Sequence, residues 1–226
     1  MLIFDEDRPS DSPYVERIWR CHSEDAAPFL SIAGSHHELV VSRLRGEITI
    51  TARGPETHAS AIGDCPKDGE WFGIILKLGT FLPHIPATTL VNGGVDLPTI
   101  SPTSFWMFGS PWQFPSYDNA DTFIARLQRA GFLKHDPYVN DAWHNSRLDR
   151  SQRTLQRHFL QATGLRLGEA RQIERARQAT YLLQQGLMIS AVVTQAGYNE
   201  RVRLQLDDTQ KLPSGVFVLT YHLRAA

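Results

Sequence analysis

The sequence predicts an α+β protein. A β-barrel or β-sandwich occupies residues 1–114, and an all-α domain follows over residues 115–226. Three observations predict it. The first ~110 residues alternate short β-branched runs with turns rich in Gly and Pro. From Asn119 onward, apolar residues recur at helical spacing instead. Charge changes sign between the same halves: residues 1–140 carry 11 Lys and Arg against 17 Asp and Glu, whereas residues 141–226 carry 12 against 7. The net charge of −1 conceals this split. A basic half beside an acidic one suits a protein of which one part meets a polyanion.

The strands come first. FLSIAG (29–34), ELVVSR (38–43), EITITAR (47–53) and FGIILKL (72–78) are short and rich in β-branched residues. Gly46 marks a turn, after which Ile48 and Ile50 fall on one face and Glu47, Thr49 and Thr51 on the other. That alternation describes a half-buried antiparallel strand. In SFWMFGSPWQF (104–114), Phe105, Trp106, Phe108, Trp112 and Phe114 crowd together, which predicts a seal against the first helix of the second half.

That helix is NADTFIARLQRAG: Asn119 is its expected N-cap, Phe123, Leu127 and Ala130 form its stripe, and Gly131 stops it. Further helices are expected over 137–146, 151–163, 168–185 and 189–195, with another over 199–211. In the long helix, Ile173, Ala176, Thr180 and Leu183 are spaced to pack.

SQRTLQRHFLQATG (151–164) carries the chemistry. Ser151 can cap the helix and Gly164 can end it. Leu155, Phe159 and Ala162 make a buried stripe, leaving Arg153, Gln156 and Arg157 on the opposite face near the N-terminal end. The second helix of a helix-turn-helix presents that end to the DNA major groove. There Arg pairs bidentately with guanine and Gln with adenine. The bland alternative, a solvated polar face, is common on helices of this kind.

The chain beyond Gly164 strengthens the DNA reading. QIERARQATYLLQQGLMI continues into a short helix, a glycine, Tyr198 and AGYNE. In order and spacing, S-x-R-T-L-Q-R-x-F-x-x-A-T-G, Q-I-E-R-A-R-Q-A-x-x-L-L-x-x-G-x-x-I and A-G-Y-N-E resemble the DNA-binding domain of AraC-family transcription regulators. The resemblance spans Ser151 to Leu204. It implies two helix-turn-helix units on a connecting helix and double-stranded DNA as the partner. It places base contacts at Arg153, Thr154, Gln156 and Arg157, with second-unit equivalents at Arg201, Val202, Arg203 and Gln205. Arg150 and Ser151 would meet phosphate. RIWRCHSE, RGPET and GEWFGIILKLGTFLPHIP resemble the cupin-like domain that precedes some of these regulators. That resemblance implies a small-molecule effector or a homodimer contact for the β half.

Two features depart from the family. NSRLDRS makes the approach to Ser151 longer than usual. After Leu204, QLDDTQKLPSGVF is shorter than expected, and Asp207 and Asp208 stand where cations are usual. Carboxylates there repel a phosphate backbone.

Catalysis is not expected, because no Gly-rich phosphate loop and no G-x-S-x-G elbow is present; the alternatives to a regulator are a cupin-like metal-dependent enzyme, motivated by His36, Glu38 and His84, and a protein-interaction module with a degenerate DNA-binding region, motivated by Asp207 and Asp208. In SHHELVV (35–41), strand alternation would let His36 and Glu38 share a face with His37 opposite, and His84 could join them only through the fold. Two histidines and a carboxylate at this spacing do not match the cupin metal motif, so neither a metal nor a cofactor is expected. Trp71 is a candidate pocket aromatic, giving His36, Glu38, Trp71 and His84 as a weak ligand-site set. Cys21 and Cys65 form no disulfide framework, although an exposed Cys65 thiol could sense redox state. The acidic N-terminus is unlike a signal peptide, and no apolar run approaches the ~20 residues needed to cross a bilayer. A cytoplasmic protein with reduced thiols is therefore expected.

Overall fold

The structure is a computed structural model that describes residues 2–146, 151–198, 203–211 and 217–224. In chain order the β half comprises β1 (Leu2–Pro9), β2 (Val15–Ser23), β3 (Ala27–Ser31), β4 (Glu38–Leu44), β5 (Glu47–Arg53), β6 (Ser60–Cys65), β7 (Glu70–Leu76), β8 (Thr80–Phe81), α1 (Ala87–Leu90), β9 (Gly94–Leu97), β10 (Thr99–Ser101), β11 (Ser104–Met107) and β12 (Ser110–Gln113). Then come α2 (Ala120–Arg129), β13 (Lys134–His135), α3 (Pro137–His144), α4 (Gln152–Thr163), α5 (Leu167–Gln184), α6 (Ile189–Gln195), β14 (Arg203–Lys211) and β15 (Phe217–Arg224). The protein is thus a mixed α+β chain, rich in antiparallel sheet toward its N-terminus.

The largest sheet has the order β1-β2-β7-β4-β5-β9. Both its edges are open, and no sheet among the described residues closes into a barrel. Its β4–β5 hairpin turns on Arg45 and Gly46, both at positive φ (51° and 85°). This is the two-residue geometry whose twist matches that of the strands, and it sets Leu44 opposite Glu47. Alternation then sends Leu39, Val41, Ile50, Phe72 and Ile74 to one face, where they pack with Phe105, Met107 and Trp112 and with Phe123, Ile124 and Leu127 of α2. Each such side chain contributes roughly 1.5–3 kcal/mol by leaving water. The expected aromatic seal is present in part: Phe123 meets Phe105 at 6.4 Å and Trp112 at 6.1 Å between ring centroids, whereas Trp106 is exposed.

The chain divides into two compact units, Met1–Ile173 and Glu174–Ala226. The expected boundary at 114/115 lies inside the first. There α3 and α4 share a core of Val139, Ala142, Leu155, Phe159 and Ala162 with Ala170 and Ile173, and Leu78, Phe81 and Val91 of the β half pack against it. In the second unit, Ala179, Val192 and Ala196 are buried among Leu182, Leu183, Leu187 and Tyr198.

Two expectations about the C-terminal half are corrected. It is not all-α, because residues 203–211 and 217–224 form an antiparallel hairpin where a helix was expected over 199–211. Locally, Leu204 and Leu206 repeat at a period of two, and FVLTYHLR is rich in β-branched and aromatic residues. The packing stripe of α5 also differs. Ala176 and Thr180 are exposed, and the Thr180 hydroxyl donates back to the Ala176 carbonyl at 3.0 Å. Ile173 is buried and Leu183 partly buried as expected, while Ala170 and Ala179 are the further buried positions.

Candidate nucleic-acid interface

Helix α4 is built as its sequence dictates. Ser151 adopts an extended conformation and its Oγ accepts from the Thr154 N–H at 3.2 Å, satisfying a donor left free in the first turn. The Thr154 hydroxyl lies 2.9 Å from that same Oγ. Gly164 ends the helix at φ 77°. A Cβ there would stand 2.6 Å from the Ala87 carbonyl oxygen, so the glycine is required by both conformation and space.

The helix has a fixed inner face. Phe159 is fully buried and its ring stacks on Trp143 of α3 at 6.2 Å with 9° between planes. His158 also turns inward: its Nδ1 lies 2.6 Å from one Asp136 oxygen, while the other Asp136 oxygen accepts from the Tyr138 N–H at 3.0 Å and caps α3. Arg171 of α5 donates to the Ala142 and Trp143 carbonyls at 3.1 and 2.9 Å, tying α5 to the C-terminal end of α3. Asn145 ends α3 in the left-handed conformation, with φ 52°.

The outer face of α4 carries Arg153, Gln156 and Arg157, all exposed, with Thr154 half-buried beside the cap. These are the positions expected from the helical wheel. Leu160 is also exposed, at 39%, one turn beyond Gln156 and Arg157. Sequence reasoning passes over it because apolar residues are first assigned to the core. Arg150, Arg201 and Val202 lie outside the described residues. Arg203 and Gln205 are on β14, opposite Arg224 and His222, and not on a helix. Asp207 is the extra residue of a bulge between Leu206 and Asp208.

The four ligand-site candidates of the β half each have identifiable neighbours. His36 and His37 precede β4, so strand alternation does not govern them. His36 Nε2 pairs with Glu16 at 2.9 Å. Glu38 accepts from Trp19 Nε1 at 2.6 Å; burial pushes its carboxyl upward, against the pull of that hydrogen bond, of Arg53 and of His36. The His84 ring lies tilted against Phe108 at 4.6 Å and edge-on to Phe132 at 5.5 Å. Trp71 packs over Gly69 beside Leu44. No group of three or more His, Cys, Asp or Glu among the described residues is placed to hold a metal ion.

A network not anticipated from the sequence surrounds Glu38. The Trp19 indole lies over Gly73, where any Cβ would collide with the ring. Arg53, opposite Glu38 across the β4–β5 ladder, pairs with Glu56 at 2.5 Å, and the Ser31 hydroxyl donates to Glu56. Only strand register brings these residues together. His37 is buried and its Nε2 has no hydrogen-bond partner. Desolvation holds this imidazole at about 4, despite a hydrogen bond with the Thr80 backbone.

Comparison of the chain with protein-family models, curated proteins and solved structures finds no match. No helix among the described residues is long and apolar enough to cross a membrane.

Proposed function

We propose that this protein is a sequence-specific DNA-binding transcription regulator that uses α4 as its recognition helix. One observation carries the reading: Arg153, Gln156 and Arg157 stand exposed on one face of a capped helix whose other face is locked onto α3 and α5. A rigid presentation of guanidinium and amide groups suits base-edge readout, because bidentate pairing depends on fixed direction. Leu160 extends the face with apolar atoms of the kind that meet a thymine methyl. Arg150, Ser151 and the free N–H groups of the first turn would serve phosphate. The AraC-type resemblance supports the same assignment. It extends to a cupin-like β half that senses a small molecule or joins two copies of the chain. The reading is of a binding protein rather than an enzyme.

The hairpin at β14–β15 favours a second reading for the C-terminal unit alone. With a strand where the family places its second recognition helix, that unit would contact DNA without base readout or serve a protein partner. Binding by Arg153→Ala and Arg157→Ala tests the main reading. Each should weaken affinity for a selected duplex by ~1 kcal/mol or more and relax preference at one base position. Unchanged specificity in both variants would overturn it.

A further inference from the structure

Two side chains hold α4 against α3, and they differ in kind. Phe159 is fully buried and its ring stacks on Trp143, an apolar contact that carries little direction. His158 is its neighbour in the chain, about 100° around the helix. Its Nδ1 lies 2.6 Å from one Asp136 oxygen, with the two side chains only 24% and 17% exposed. Its ring lies 4.7 Å from that of Tyr138 between centroids. The other Asp136 oxygen accepts from the Tyr138 N–H at 3.0 Å. Both carboxylate oxygens accept, so the hydrogen shared with His158 sits on Nδ1.

Asp136 is itself a fixed point. Its N–H donates to the Gly79 carbonyl at 2.9 Å, in the turn between β7 and β8, and its carbonyl accepts from the Val139 N–H at 3.2 Å. The side chain before it is tied to the same turn: His135 Nδ1 lies 3.0 Å from the Thr80 hydroxyl. Gly79, at φ 89°, fits so closely that a Cβ would stand 2.8 Å from Val139 Cβ and 3.2 Å from the Asp136 carbonyl oxygen. One run of polar contacts thus leads from the turn after β7, through Asp136, to α4.

We propose that Asp136 and His158 are positioning residues for base readout, setting the rotation of α4 about its own axis without touching DNA. The inference rests on the recognition role proposed above for α4. An apolar ring can slide within its contact, whereas a hydrogen bond weakens steeply when it is turned. Two anchors at different points of the circumference leave α4 one rotation, and the outward Arg153, Gln156 and Arg157 one direction. A polar tip about 6 Å from the helix axis moves about 1 Å when the helix turns by about 10°. That shift exceeds the ~0.5 Å spread of good N–H···O distances, so bidentate pairing with a base edge is lost. Phosphate contacts, which carry no sequence information, survive it. The pair therefore acts on specificity more than on binding in general.

The test uses the full-length protein and measures affinity for a duplex selected by the wild type and for a random-sequence duplex of equal length. Their ratio is the readout, because partial unfolding lowers both affinities by the same factor. Asp136→Ser keeps an acceptor for the Tyr138 N–H but is too short to reach His158. His158→Leu removes the donor at similar volume, whereas His158→Asn restores an N–H in the place of Nδ1. The ratio should fall about tenfold in Asp136→Ser and in His158→Leu. It should stay within about twofold of the wild type in His158→Asn, and combining Asp136→Ser with His158→Leu should lower it no further than either alone. An unchanged ratio in either single variant, an equal loss in His158→Asn and His158→Leu, or additive losses in the combination would each overturn the proposal and leave the recognition role of α4 standing. A wild type that prefers no sequence would overturn both.

Discussion

At the scale of single residues, polar groups in α4 and the β half divide sharply between those exposed for contact and those buried at a cost. Arg153 and Arg157 belong to the first kind, and their loss should cost DNA affinity without costing stability. His37 belongs to the second. Because its imidazole is held near 4 in the fold and titrates near 6.5 when unfolded, the unfolded chain binds the extra proton between those values. Stability from this group is complete above about pH 6.5 and is lost as pH falls toward 4, by about 3 kcal/mol at the acid end. Glu38 opposes it. Its raised carboxyl keeps a proton that the unfolded chain releases, so its contribution falls as pH rises past the ordinary range. The difference between wild type and His37→Gln isolates the histidine. Urea unfolding at pH 5 and pH 7 should show a larger drop for the wild type; equal drops would mean that His37 does not govern the acid side. None of this is legible in SHHELVV. Burial of His37 and the Trp19–Glu38 contact depend on the β2–β7–β4 register, which no local pattern encodes.

At the scale of elements, α4 is legible almost to the residue, because cap, apolar period and terminating glycine all agree. Ser151→Ala removes the acceptor for the Thr154 N–H and should cost ~1 kcal/mol. Phe159→Ala should cost ~3–5 kcal/mol, since the ring is fully buried against Trp143. Gly164→Ala combines a strained φ of 77° with a contact of 2.6 Å to the Ala87 carbonyl, and should destabilise by ~1–3 kcal/mol. Thermal or denaturant unfolding measures all three, and a neutral Gly164→Ala would mean that α4 does not end against α1. The helix expected over 199–211 fails for a physical reason. It continues a family pattern of helices past Leu204, although Leu204 and Leu206 already alternate with the period of a strand. The α5 stripe holds at Ile173 and Leu183 and fails between them, at Ala176 and Thr180. Candidate positions spaced for one continuous face fall in two units, and each unit buries its own residues.

At the scale of the whole molecule, the change in sequence texture near residue 114 is not where the first compact unit ends. Phe81 and Val91 of the β half pack against the core that holds α4, and Gly164 closes on Ala87. A fragment of residues 115–226 loses that backing and should lack a cooperative unfolding transition, whereas a fragment that melts like the intact protein would show α4 to be self-supporting. DNA binding by the full chain should also weaken steeply with salt, because basic side chains displace counterions from phosphate. The most direct test of the recognition role of α4 is selection of bound duplexes from a random pool by the full-length protein, with Arg153→Ala run in parallel. Enrichment of one short motif, with preference at a single position relaxed in the variant, is the predicted result. A bound pool no different in sequence from the input would contradict it.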